Sequence, residues 1–462
     1  MALTLNFNDN RGGDTTAVSI GFVPGASNAG FDIISNADQS ALLPLNLVNS
    51  SANPPQTYPF AGNWYSLADL AQGVSISAFS GRVYVAYGPA WAVQNAGYEP
   101  AQSVTDPNFF LRYDKLEMTF TGQAADVANL TSIDYWAIPL TLQTSQGGTV
   151  AQTVAGLQGS TTAQEMFSAL NALTATPVSG IAGPGGIDGT PLPAQVPGQF
   201  QQFSSTSPAP GTTFARVIGP SSYPPINPPP GAIPVTPYDT LLGYLKNLYA
   251  AFGPGTTVGA TVPGLGNGVI ATIAGNFAGV GPNVPASGPQ AAQQYQFSAS
   301  IDASYNITLS GKLSLSDDTV TILYAVGDLT NPSGIYGGNA PYSLNGAAAV
   351  SPGNDVYGWI GGDLFSGLNI GALGSSTASA LPGQTLVGAL PSQQWFQLSP
   401  ATFFAGLQPG NTDYNQWAAT LAPLSQAYNF AYSDRFAPVF ASLNPANVDT
   451  LTVVLEPATV TL

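Results

Sequence analysis

Four short runs, VSIGFVP, RVYVAYG, YDKLEMTF and SIDYWAIPLTLQ, constrain the fold of this chain most. Each is rich in β-branched and aromatic residues and is bounded by clusters of Gly, Pro, Asn and Asp, the punctuation of strands. They make residues 1–150 β-structure, and their regular spacing predicts a sandwich or a barrel. Near residue 160 the pattern changes. TTAQEMFSALNALTA opens on a Thr that suits a helix cap, and Phe167, Leu170 and Leu173 recur at helical spacing. Residues 175–236 are rich in Gly, Pro and Ser and read as an ordered irregular insertion, with a flexible linker as the alternative. PYDTLLGYLKNLYAAFG predicts a helix with Pro237 in its first turn and Leu241, Leu242, Leu245, Leu248 and Tyr249 as a core-facing stripe. Residues 295–324 alternate with period two, which predicts two or three antiparallel strands. DVYGWIGGDLFSGL and DYNQWAATLAPLSQAY turn helical again, and the end, from YNFAYSDRF to LTVVLEP, returns to β. One economical architecture is mainly β with an α/β insertion. A β-sandwich begins in 1–160, is interrupted by a mixed α/β domain over 161–425, and is completed by returning strands over 426–462.

The residue types exclude much chemistry. There is no histidine and no cysteine, so Ser-His-Asp triads, thiol nucleophiles, thiolate or imidazole metal sites and disulfides are ruled out together. No metal site and no cofactor are expected. Only 7% of residues are charged, against roughly 25% in ordinary proteins. The net charge of −16 comes from 24 acidic and 8 basic residues. Nucleic-acid binding is therefore not expected, because neutralising phosphates needs clustered Lys and Arg. A neutral polymer is compatible with this surface. So is self-association, since a charge-poor surface repels its own copies weakly. No apolar run is long enough to predict a membrane span. The start, MALTLNFNDNRGG, shows neither the basic nor the apolar region of a signal peptide.

With histidine and cysteine gone, carboxylates are the candidate acids and bases. The informative stretch is Arg112 to Gln143, which reads as two strands joined by a polar connection, one carrying Glu117 and the other Asp134. Alternation on the first puts Leu116, Met118 and Phe120 on one face and Tyr113, Lys115, Glu117, Thr119 and Thr121 on the other. The plain alternative for Glu117 is a solvated carboxylate paired with Lys115 or Arg112. Asp134 shares a face with Trp136 and neighbours Tyr135; an acid between aromatics is a common sugar-binding setting, and its alternative is a turn cap after Thr131 and Ser132. Two carboxylates flanking a glycosidic bond are what glycoside hydrolysis needs, roughly 6.5–9.5 Å apart for inversion and about 5–5.5 Å for retention.

The segment resembles the catalytic region of glycoside hydrolase family 64, the β-1,3-glucanases built on a thaumatin-like β-sandwich. There a Glu-x-Thr strand is followed by a hydrophobic-Asp-aromatic strand ending in an apolar-Pro-Leu run. Here Glu117-Met118-Thr119 is followed by Ile133-Asp134-Tyr135-Trp136-Ala137-Ile138-Pro139-Leu140. SGRVYVAYG (Ser80–Gly88) resembles the family's early strand. DYNQWAATLAPLSQAYNFAYSDRF (Asp413–Phe436) resembles its late helix and the aromatic, Asp-containing strand after it, and LTVVLEP its closing strand.

The resemblance implies a thaumatin-like sandwich plus a mixed α/β domain flanking a wide groove. It implies Glu117 as general acid and Asp134 as general base of an inverting, endo-acting enzyme that releases short oligosaccharides from β-1,3-glucan. It places Thr119 on the groove floor, makes Thr121, Tyr135 and Trp136 substrate-binding candidates, with core packing as the alternative for Trp136, and puts Asp434 in the late motif. It also implies an extracellular or cell-surface location. The chain departs from the family in lacking histidine, in its low charge, in Thr121 where Asn is usual, and in Ser433 before Asp434 where paired acids are usual. Low charge, the absence of Cys and His and long Pro/Gly segments also fit a self-assembling surface or filament subunit on a glucanase-like scaffold. A third reading is a glucan-binding protein that uses the same groove without turnover.

Overall fold

Strands make up most of the regular structure in the computed structural model, which describes residues 2–25, 32–36, 64–88, 90–91, 99–101, 106, 108, 111–173, 216–222, 240–256, 262, 264–276, 294–314, 316, 318–348, 356–383, 385–437 and 439–460. Pro237 and nearly all of 175–236 lie outside the described residues. The chain divides into two units, Met1–Gly219 with Thr420–Asn429 and Pro438–Leu462, and Pro220–Ala419 with Phe430–Ala437.

The first unit holds β1 (Leu3–Asp9), β2 (Val18–Pro24), β3 (Asp32–Asn36), β4 (Trp64–Ser66), β5 (Val74–Tyr87), β6 (Arg112–Phe120), β7 (Val127–Leu130), β8 (Tyr135–Trp136), β9 (Leu140–Gln146), β10 (Thr149–Ala155), the helix α1 (Ala163–Ala172) and β11 (Val217–Ile218). After the second unit's strands, β12 (Val269–Asn276), β13 (Gln294–Ile301), β14 (Ile307–Leu313), β15 (Val320–Tyr324) and β16 (Ser343–Leu344), it gains β17 (Phe440–Ser442) and β18 (Thr450–Leu455). The main path runs β10-β9-β18-β1-β5-β6-β7-β17, with β2, β3 and β4 joined to it through β5 and one another. β18 lies between β1, which it pairs in parallel, and β9. β5 is the hinge of the fold. Val74 and Ile76 pair with β1, whereas Phe79 to Tyr87 pair with β6. Its two ends therefore belong to two layers that close over one core. Leu3, Leu5, Leu140, Leu142, Leu451 and Val453 come from one layer, and Ile20, Phe22, Val83, Leu116, Met118 and Leu130 from the other. All are at most 4% exposed, and the alternation of strand faces puts them there. The helix α1 begins with a reciprocal cap: Thr162 Oγ1 accepts from Glu165 N–H, and Glu165 Oε2 accepts from Thr162 N–H.

The second unit is an antiparallel sheet, β12 to β16 in sequence order, with helices α2 (Leu242–Phe252) and α3 (Val356–Ile370). The buried stripe of α2 is Leu241, Tyr244, Leu245, Leu248 and Phe252, so Leu242 and Tyr249 sit at its margin. From Ile360 onward every residue of α3 is buried. The helix read in DYNQWAATLAPLSQAY is short, α4 (Gln416–Leu421). Among the described residues, no helix is long and apolar enough to cross a membrane.

Two expected strands come out differently. SIDYWAIPLTLQ is split into β8 and β9, and Asp134 precedes β8 on irregular chain. The amides of Ala137 and Ile138 donate to the buried Asp114 carboxylate at 2.9 and 3.0 Å instead of to a strand, and Pro139 has no N–H to give. The expected strand around Asp434 is a 3-10 turn, Ser433–Arg435. Tyr432 sits at φ 69, which ends any extended run, and Arg435 is drawn to the buried Asp363, with its second amino group on Trp359 O at 3.0 Å.

Candidate active site

The outer face of β6 becomes a site because its neighbours match it residue for residue. In register, Ser80 faces Thr119, Arg82 faces Glu117 and Tyr84 faces Lys115 across β5. On the other side Asn129 of β7 faces Glu117. Cross-strand partners on one face lie about 5 Å apart at Cβ, so side chains that alternate outward from β5, β6 and β7 share one surface.

One end of that surface is closed by aromatic rings. Trp64, Tyr84, Trp91, Tyr113 and Tyr135 form a buried cluster. Ring centroids lie 5.1 Å apart for Trp64–Trp91, 4.2 Å for Tyr84–Trp91 and 5.4 Å for Tyr113–Tyr135. The guanidinium of the buried Arg216 lies 4.1 Å from the Tyr113 centroid. Tyr135 and Trp136 are 1% and 2% exposed, so these two predicted sugar-binding residues present no open ring face. Trp136 also pairs with Val217 and Tyr135 with Ile218 in a two-stranded ribbon.

The other end is polar and more open. Arg82 Nε donates to Glu117 Oε1 at 3.0 Å, and Arg82 Nη1 donates to Glu99 Oε2 at 2.7 Å. Lys115 Nζ donates to Glu99 Oε1 and, at 2.8 Å, to Asp134 Oδ2. The five charges thus run in one line: Glu117, Arg82, Glu99, Lys115, Asp134. The side chains of Glu117, Asp134 and Glu99 are 39%, 31% and 28% exposed, whereas Lys115 is 1% exposed. The acids can be reached from outside and the lysine cannot. Burial disfavours the Lys115 ammonium, but Asp134 and Glu99 outweigh it and hold its pKa well above the ordinary 10.5. Burial likewise opposes the charge of Arg82, and Glu99, Tyr84 and Glu117 raise its pKa despite it.

Glu117 and Asp134 are therefore brought into one network, joined through Lys115, Glu99 and Arg82. Thr119 lies beside them, its hydroxyl 2.8 Å from that of Ser80. Thr121 is engaged elsewhere. It is exposed in the β6–β7 turn, its N–H and hydroxyl both bonded to Asp126 at 2.7 and 3.0 Å. Asp434 is exposed on the 3-10 turn of the second unit. Arg112, expected beside Glu117, instead donates to the carbonyls of Ala137 and Ala458.

Sequence reading missed Arg82, Glu99 and Asn129. Arg82 was within reach, since Ser80, Arg82 and Tyr84 alternate in SGRVYVAYG as Lys115, Glu117 and Thr119 do in YDKLEMTF. Glu99 lies outside any strand and leaves no periodic signal. Asn129 Oδ1 is buried with no hydrogen-bond partner among the described residues, next to Glu117 in register. Among the described residues, no group of three or more acids is placed to hold a metal ion.

Residues 4–209 match the glycoside hydrolase 64 family model, described as beta-1,3-glucanase. A laminaripentaose-producing beta-1,3-glucanase, solved in complex with laminaritetraose, aligns over 99% of both chains with a TM-score of 0.51 and 15% identity. A beta-1,3-glucanase domain (GH64) from Clostridium beijerinckii aligns over 98% of both chains with a TM-score of 0.50 and 13% identity. At such identities the likeness shows the fold. The comparison with curated proteins finds no match. Across residues 4–209 the chain thus carries the glycoside hydrolase family 64 pattern that its motifs resemble.

Proposed function

We propose that this protein hydrolyses β-1,3-glucan, with Glu117 as general acid and Asp134 as general base in an inverting cleavage inside the polymer. The observation that carries the reading is the placement of Glu117 and Asp134. Both are about a third exposed, both adjoin the outer face of β6, and a five-charge network ties them together. Glu117 protonates the glycosidic oxygen. Asp134 takes a proton from the water that attacks the anomeric carbon on the opposite face of the sugar. A carboxyl paired with a guanidinium has to leave that pair to donate, so Arg82 swings off Glu117 as the sugar enters. Thr119 and Ser80, paired in register two residues along from Glu117, and Asn129, paired with Glu117 itself, supply polar groups for sugar hydroxyls. Action on a polymeric glucan puts the protein outside the cell.

A second reading has an observation of its own. In the free protein Glu117 is ion-paired with Arg82, which suits a protein that binds glucan and does not turn it over. Chromatography of soluble products from laminarin and curdlan separates the two. The glucanase reading expects oligosaccharides from the wild type, with Glu117→Gln and Asp134→Asn each reducing the rate about 100-fold or more. Retention on curdlan with no product at any pH from about 4 to 8 would instead support binding alone.

A further inference from the structure

We infer that Glu99 is a positioning residue for both reacting acids, holding their cationic neighbours so that each acid can change charge without stranding its partner. The inference rests on the assignment of Glu117 and Asp134 above. Its ground is the connectivity of the network. Glu99 uses one oxygen for Arg82 and the other for Lys115, and each of those cations gives its remaining contact to one reacting acid. Arg82 lies closer to Glu99, at 2.7 Å, than to Glu117, at 3.0 Å. When Glu117 carries a proton its bond to Arg82 weakens, and Arg82 keeps an anion because Glu99 remains. Lys115 has no recourse to water at 1% exposure, so an acid that stays with it while Asp134 takes up a proton spares it an unpaired buried charge. Three carboxylates against two ammonium or guanidinium groups leave one excess negative charge, and a single proton on the network makes it neutral.

Without Glu99 the network divides into two exclusive pairs, Arg82 with Glu117 and Lys115 with Asp134. Each pair holds its acid in the ion-paired position, away from the geometry that reaction needs. The loss falls on the chemical step and not on capture of the polymer, because Glu99 spends both its oxygens on Arg82 and Lys115 and reaches the two reacting acids only through them.

The test is steady-state kinetics on laminarin for the wild type, Glu99→Gln and Glu99→Asp, with thermal melts of each. Glu99→Gln is expected to lower kcat about 10- to 100-fold while KM stays within about twofold. Glu99→Asp, which keeps the charge on a shorter arm, is expected to recover part of the loss. Unchanged kcat in Glu99→Gln, or a raised KM at unchanged kcat, overturns the inference. If Glu99→Gln does not fold, Glu99→Asp decides in its place: a lowered kcat at constant KM supports the positioning role, and a wild-type kcat overturns it. A wild type that releases no product fails the glucanase reading itself, an outcome distinct from any of these.

Discussion

At the scale of single residues, the site shows what alternation can and cannot reveal. That Glu117 faces away from Leu116 and Met118 follows from period two, and it does so here, with both apolar residues at most 3% exposed. Alternation could not show that Lys115, on the same outward face, is among the most buried charges described. Its neighbours Tyr84, paired with it across the strands, and Tyr135, with a ring centroid 5.2 Å from Nζ, belong to other segments and reach it only through folding. Asp114 was passed over for the opposite reason. It points toward the core, where an acid is unexpected, and three backbone N–H groups, of Lys115, Ala137 and Ile138, justify it. Burial pushes its pKa from the ordinary 3.8 up to about 6, against the pull of those amides. The folded protein thus holds this proton more tightly than the unfolded chain. The stabilising contribution is complete below pH 3.8 and is lost as pH rises through 6, a change of about 3 kcal/mol. Denaturant melts of wild type and Asp114→Asn from pH 3.5 to 7 check this, a range of about 3.5 pH units chosen to span both values. The wild type should lose stability relative to the variant as pH rises. A difference that is flat with pH would contradict the account.

At the scale of elements, strands paired with a neighbour on both edges were the legible ones. VSIGFVP, RVYVAYG and YDKLEMTF become β2, β5 and β6, and the alternating 295–324 becomes β13, β14 and β15. Reading failed where a side chain, not a neighbouring strand, satisfies the backbone. Asp114 does this at Ala137 and Ile138, and it divides SIDYWAIPLTLQ. The same lesson applies to Arg435, whose attraction to Asp363 turns an apparent aromatic strand into a 3-10 turn. The β2 strand makes a separate point. A Cβ added to Gly21 would meet the Trp64 ring at 2.4 Å, and Trp64 is itself packed against Trp91 at a tilt of 45°. Gly21→Ala should therefore cost about 1–3 kcal/mol by overpacking, read as a fall in melting temperature. Gly13→Ala, where a Cβ meets nothing within 4 Å, is the control. Equal melting temperatures for the two variants would show that the ring can move aside freely.

At the scale of the whole molecule, the parallel pairing of β18 with β1 makes the last strand a central member of the first unit and not an appendage. The return to β at the end of the chain was legible from LTVVLEP. Its partner was not, because period two fixes which face a strand buries and says nothing of which strand lies beside it. The same limit applies to the site. Glu117 and Asp134 were readable as a pair through resemblance, whereas the network linking them exists only once β5, β6 and the chain around Glu99 and Asp134 come together. In the proposed reaction these two acids cut a β-1,3 linkage with inversion, one protonating the leaving oxygen while the other activates water from the far side. The most direct measurement is proton NMR of laminarin during the first minutes of reaction, before the new reducing ends mutarotate. The anomeric signal of the α-hemiacetal should appear first, with the β-form growing in afterwards. The β-anomer appearing first, or no new reducing ends at all, would contradict it.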